Sequence, residues 1–224
     1  MYGPVHGICN WRSSTGVREA WIGACVIGSP ARDGSHPAID RYLRPAMANV
    51  TLHDKQFEPF ISPDKLGAAM DAVAAKVAAK YADSVPLFLG VLNGGYFFAA
   101  ELLKRLPITC EITFVKVASY HGTVSTGTVS QLIGLNERIA GRHVVVVEDI
   151  VDTGNTIQHI VEALREKNPA SIAIASLLLK PDVYKKDIPI DFVAMEIPNI
   201  FVVGSGLDHD GLGRNLPGIY RIVN

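Results

Sequence analysis

Four consecutive valines, Val144 to Val147, run into three carboxylates, Glu148, Asp149 and Asp152, and then into the turn Thr153-Gly154-Asn155-Thr156. Each part of that segment has a chemical use. An unbroken β-branched run is the pattern of a strand covered on both faces in a parallel sheet. Carboxylates buried inside such a sheet would be prohibitively costly, so they are expected to emerge at its carboxyl end, where open α/β sheets bind ligands. The turn then opens a helix with Ile157, Ile160, Val161 and Leu164 on one side. The free N–H groups and positive dipole end of a helix start suit a phosphate dianion, and Gly154 lets backbone approach it closely.

The elements that must position these groups are legible around them. Ser62 can cap a helix that has Pro63 at its first position and Leu66, Met70, Val73, Val77 and Tyr81 at helical spacing, ending near Ala82. Pro86 to Leu92 reads as a strand closed by the turn Asn93-Gly94-Gly95, after which Tyr96 to Leu106 resumes helical spacing. Glu111 to Ala118 reads as a further strand, and the polar stretch from Ser119 to Thr128 as a mobile loop. The apolar runs Ile172 to Leu179 and Phe192 to Ile197 complete an alternation of strands and helices, which defines an α/β fold with right-handed crossovers. Residues 1–46 show neither period, and are expected to form an irregular, disordered arm ahead of a single domain at 47–224. The change of character at Met47 makes that residue a candidate natural start, the other reading being a genuine extension.

The segment from Glu148 to Gly154 resembles the phosphoribosyl pyrophosphate (PRPP) signature of type I phosphoribosyltransferases, in particular their hypoxanthine-guanine branch, and the resemblance runs from about residue 50 to the C-terminus. It implies a central, mainly parallel sheet flanked by helices, with a small hood over a base pocket. It implies that Glu148 and Asp149 hold the ribose hydroxyls, partly through Mg²⁺, and that Thr153, Gly154, Asn155 and Thr156 cradle the 5′-phosphate. Asn93, Gly94 and Gly95 stand where the family places its pyrophosphate-binding turn, often with a non-proline cis peptide; Asn93 replaces the lysine of the mammalian pattern. Ser119 and Tyr120 begin the stretch resembling the flexible active-site loop that keeps water from the reacting sugar carbon. In the base pocket Lys180 would donate to the purine O6, Phe201 would stack on the ring, and Val202 would offer its backbone to the base edge. Asp208 and Arg214 would serve the Mg²⁺–pyrophosphate end. A homodimer or homotetramer is implied as well.

Within that frame Asp152, between phosphate turn and base, is the candidate general base for the purine imidazole proton. Lys180 is a donor only, which suits a 6-oxopurine and opposes the amino group of adenine. Adenine and orotate transferases share the acidic motif without the Lys180 and Phe201 context.

Composition narrows the alternatives. With 21 Lys+Arg against 22 Asp+Glu, the formal charge of -1 provides no global field for nucleic acid, and no helix-turn-helix pattern is evident, which disfavours a regulator that binds RNA or DNA. A Rossmann dehydrogenase needs Gly-x-Gly-x-x-Gly, and Asn93-Gly94-Gly95 lacks that spacing. Cys9, Cys25 and Cys110 fit no disulfide framework and point to a reducing, cytoplasmic setting. Ile22 to Cys25 looks like a lipoprotein box, but Arg12, Arg18 and Glu19 occupy its apolar region. No window is apolar enough for a membrane helix, so a soluble protein is expected. His121, His143, His159 and His209 form no metal-ligand spacing; only His209, beside Asp208, is a candidate for a minor role.

Overall fold

The structure is a computed structural model that describes residues 47–120, 129–135 and 137–223. The irregular arm expected before Met47 and the centre of the expected loop, residues 121–128, lie outside the described residues.

A hairpin of β1 (Val50–Leu52) and β2 (Lys55–Ile61) comes first. Helix α1 (Pro63–Lys80) follows, its start fixed by Pro63 and by the Ser62 hydroxyl, which accepts the Lys65 N–H at 3.3 Å. Leu66, Met70, Val73 and Val77 are its buried stripe, and the helix stops two residues short of the expected Ala82. Then come β3 (Leu87–Val91), α2 (Gly95–Leu103), β4 (Glu111–Tyr120), β5 (Val129–Ile133) and β6 (His143–Val151). Helix α3 (Asn155–Arg165), β7 (Ser171–Leu179), β8 (Phe192–Glu196), β9 (Val202–Val203) and β10 (Ile219–Ile222) complete the chain.

The main sheet has the order β5-β4-β3-β6-β7-β8, and all neighbours are parallel except β4 and β5. The valine run lies at its centre. Val145 and Val147 pack into the core formed with α1 and α2, while Val144 and Val146 pack into the core formed with α3, all four fully buried. Each such side chain contributes about 1.5–3 kcal/mol relative to exposure, which is why an alternating pattern is absent.

Two expectations are corrected. Strand β4 does not end at Ala118 but continues through Ser119 and Tyr120, paired to Ser130 and Val129 of β5. A backbone ladder joins these residues, and a reading of apolar periodicity has no sight of it. The second concerns one acid: Glu148, Asp149 and Asp152 all reach the cleft at the sheet's carboxyl end as expected, but β6 runs on through Glu148 to Val151, and Glu148 is only 7% exposed.

The hood is a second, antiparallel sheet in the order β1-β2-β10-β9, built from both ends of the domain. Its strands escape a sequence reading because they are short and β2 contains Pro59. Proline is tolerated there because β1 pairs only with Lys55, Gln56 and Phe57, and the ladder to β10 is irregular between Ile219 and Tyr220.

Candidate active site

The carboxyl ends of β3, β6 and β7 and the segment after β8 enclose a cleft of about 550 Å³. Asn93, Gly94, Glu148, Asp149, Asp152, Thr153, Gly154, Asn155, Thr156, Lys180, Phe201, Val202, Asp208 and Arg214 all line it. Gly95 is buried behind the turn, and Ser119 and Tyr120 form the end of β4.

The turn after β3 contains a cis peptide between Leu92 and Asn93. Its glycines are required by contact. A Cβ on Gly94 would fall 1.4 Å from Asp149 Oδ2, and one on Gly95 would fall 2.7 Å from the Val147 carbonyl oxygen. The turn therefore lies directly on the acidic strand end. Asn93 leaves it without a side-chain cation, and among the described residues the cations lining the cleft are Lys180 and Arg214. The Arg214 guanidinium pairs with Asp208 Oδ1 at 2.7 Å and donates to the Gly206 carbonyl, while Asp208 Oδ2 accepts the Gly211 N–H at 2.7 Å.

Parallel register brings the base end together. Val151 of β6 stands opposite Leu179 of β7, so Asp152 and Lys180 emerge side by side. The Lys180 ammonium donates to Asp152 Oδ2 at 2.8 Å; the lysine side chain is 9% exposed and the aspartate 45%. An ion pair of this kind contributes little to stability after desolvation. Its consequence is positional: it holds a carboxylate and an ammonium side by side in the cleft. Phe201, 43% exposed, is the aromatic face of the same cleft, and Val202 beside it is buried in β9.

The phosphate turn is built as its sequence demands. Gly154 caps α3 with φ of 82°, and a Cβ there would also meet the Tyr184 ring at 2.4 Å. The first N–H groups of α3 have no intrahelical partner by helix geometry and face a turn without lysine or arginine. An anion at this turn would meet backbone N–H groups and the helix dipole, with Lys186 alongside, its Cγ 2.9 Å from where a Cβ on Gly154 would sit. Sequence reasoning missed Tyr184, and it missed Gly206, where a Cβ would sit 2.4 Å from the Gly94 carbonyl oxygen. A signal for the latter existed in the glycines at 204, 206, 211 and 213, all of positive φ.

Glu148 departs most from expectation. Its Oε1 accepts the Asp149 N–H at 3.3 Å, and its Oε2 is buried with no partner. Burial first, then the neighbouring Asp149 charge and hydrogen bond, push its carboxyl well above the ordinary value of 4.5. The folded chain thus holds a proton that the unfolded chain releases. Stability is lost as pH rises from about 4.5 through the raised value, and stays lost above it. Glu148→Gln in metal-free buffer is accordingly expected to raise the melting temperature at pH 8 by about 2–6 °C, for an unsatisfied buried group of about 1–2 kcal/mol. The gain should vanish toward pH 4, and a gain equal at both pH values would contradict this account.

The fold and this cleft define a transferase of phosphoribosyl groups, and the profile of the phosphoribosyl transferase domain matches residues 63–210: the chain belongs to that family. Its relatives narrow the branch. The hypoxanthine-guanine phosphoribosyltransferase of Bacillus subtilis (strain 168) is 40% identical over 160 residues, covering 71% of this chain and 89% of that protein. Among solved structures, a hypoxanthine phosphoribosyltransferase from Staphylococcus aureus superposes with a TM-score of 0.69 at 34% identity, over 74% of this chain and 91% of that one. The Trypanosoma cruzi hypoxanthine phosphoribosyltransferase, solved in complex with the product IMP, gives 0.68 at 28% identity over 78% and 97%. The chain is an enzyme of the hypoxanthine-guanine branch.

Proposed function

We propose that this enzyme transfers the 5-phosphoribosyl group of PRPP to hypoxanthine or guanine with magnesium, and that Asp152 is the general base. The observation that carries the reading is the Asp152–Lys180 pair at 2.8 Å, set in one cleft with Phe201 and the phosphate turn.

The purine would lie on Phe201 with O6 toward the Lys180 ammonium, Val202 backbone at its edge, and its imidazole toward Asp152. The 5′-phosphate would take the backbone N–H groups of Thr153, Gly154, Asn155 and Thr156, and the ribose hydroxyls would meet Glu148 and Asp149. The bond from C1′ to pyrophosphate breaks as the purine nitrogen bonds C1′, and the imidazole proton passes to Asp152. Alignment and electrostatics dominate such a displacement. The polypeptide supplies few metal ligands: among the described residues no group of three His, Cys, Asp or Glu side chains is placed to hold an ion. That fits Mg²⁺, which takes one or two carboxylates and otherwise substrate oxygens and water. Of Glu148, with its unpartnered buried oxygen, Asp149 and Asp208, one or two at a time would hold it. When bound, Mg²⁺ supplies charge neutralisation at the leaving pyrophosphate. Ser119 and Tyr120, at the end of β4, would border the cover over the substrates.

Self-association as a homodimer or homotetramer and a cytoplasmic location are part of the proposal. In the Trypanosoma cruzi enzyme the C-terminal region bears on oligomeric state and activity, and no described helix is long and apolar enough to cross a membrane.

The test is a spectrophotometric assay of each purine base with PRPP, with and without Mg²⁺. Turnover of hypoxanthine or guanine that is lost on chelation is expected. No turnover with any base, together with an electrophoretic shift of RNA or DNA, would favour a regulator instead. Lys180→Gln is expected to lower the rate ratio of hypoxanthine to adenine by at least about tenfold, because glutamine offers adenine an acceptor that the ammonium lacks. An unchanged ratio would mean that Lys180 only pairs with Asp152.

A further inference from the structure

His209 is a buried histidine in the turn that carries Asp208. The turn is closed in both directions: the His209 N–H donates to the Leu212 carbonyl at 2.9 Å, and the Leu212 N–H donates back at 3.0 Å. The imidazole and the Phe201 ring stand perpendicular, with centroids 5.7 Å apart and planes at 84°, and the imidazole lies 6.1 Å from Phe57. On its far side His53 makes a second perpendicular contact at 5.6 Å.

The nitrogens of that ring do little of the holding. Nε2 is buried without a hydrogen-bond partner, and the nearest carboxylates, Asp54 at 3.6 Å and Asp210 at 3.8 Å, lie beyond hydrogen-bond length. The ring is oriented by packing and acts as an aromatic wedge. Phe201 itself is 43% exposed and has two aromatic neighbours, Phe57 at 6.1 Å and His209, while the Lys55 ammonium sits 5.6 Å over the ring. An aromatic side chain half open to a cleft has a broad second torsion unless a neighbour restricts it.

We propose that His209 is a positioning residue for the base: its imidazole, packed perpendicular to Phe201, holds that ring in the plane on which the purine stacks. The assignment rests on the reading of Phe201 as the stacking face. It predicts an effect on the base alone, because the wedge touches Phe201 through its side chain, whereas Asp208 is fixed independently by Gly211 and Arg214.

The experiment measures KM for hypoxanthine, KM for PRPP and kcat in His209→Leu, His209→Phe and Phe201→Ala, with a melting curve for each. His209→Leu keeps bulk without a planar ring, and should raise the hypoxanthine KM about three- to tenfold, the value of one aromatic pair, with the PRPP KM unchanged. His209→Phe restores the ring and should return the hypoxanthine KM to the parent value. An increase of both KM values together in His209→Leu, or failure of His209→Phe to restore the base KM, overturns the proposal. If His209→Leu does not fold, the phenylalanine variant decides by itself. Phe201→Ala separates the two readings: an unchanged base KM there removes the stacking face, whereas a raised one beside a silent His209→Leu removes only the positioning role.

Discussion

Asp152→Asn is expected to lower kcat by about 10²–10⁴, the usual cost of losing a positioned general base, while PRPP affinity stays close to that of the parent. Asparagine keeps the size of the side chain and can still accept the Lys180 ammonium through its amide oxygen, so the 2.8 Å contact has a replacement. It cannot take up the purine proton. The proposed phosphate site would be untouched, because the backbone N–H groups of Thr153, Gly154, Asn155 and Thr156 belong to the turn and not to the carboxylate. Steady-state turnover beside a binding titration on the same variant, both with Mg²⁺, separates these effects. Turnover within about threefold of the parent, far below the range for a general base, would send the proton to water or to another carboxylate.

Gly206→Ala should weaken PRPP binding by at least about tenfold, from a close approach that no side chain can share. The residue has φ of 106°, and a Cβ there would lie 2.4 Å from the Gly94 carbonyl oxygen. Backbone meets backbone at that point, so relief requires the hood turn and the pyrophosphate turn to separate. Gly141→Ala is the matched control. It too has positive φ, of 73°, yet nothing lies within 4 Å of its would-be Cβ. Both variants bear the left-handed backbone cost of about 1–3 kcal/mol, which melting curves report; only Gly206→Ala should also lose PRPP affinity by titration. Equal affinities in the two variants would mean that the turn contact is irrelevant to the ligand.

Local chemistry was written plainly in the sequence. Ser62-Pro63 announces α1 because one hydroxyl and one fixed φ are enough to start a helix, and the unbroken valines announce a strand covered on both faces. The glycines at 94, 95 and 154 mark turns wherever they occur. The hood was not legible in the same way, since β1, β9 and β10 have three, two and four residues, too short for a period to declare itself. Nor was the end of β4, where Ser119 and Tyr120 are held by backbone pairing to Ser130 and Val129 of β5.

What the sequence determined, then, is the class of fold and the chemical inventory: an acidic strand end, a phosphate turn, and a lysine and a phenylalanine in a context resembling one family. These depend on neighbours within a turn or two of chain, where spacing and side-chain type are sufficient. Tertiary structure decided the pairings. Asp152 meets Lys180 across 28 residues because β6 and β7 are parallel and in register at Val151 and Leu179. Glu148 is buried because β6 continues through it, paired to Ser176 of β7 and lying against Gly95, whatever its charge would prefer in water. Gly206 touches Gly94 because a hood drawn from both ends of the domain closes over the sheet's carboxyl edge, and His209 touches Phe201 because the turns after β9 fold back beside it. Sheet order and register set such contacts, and no spacing along the chain encodes them.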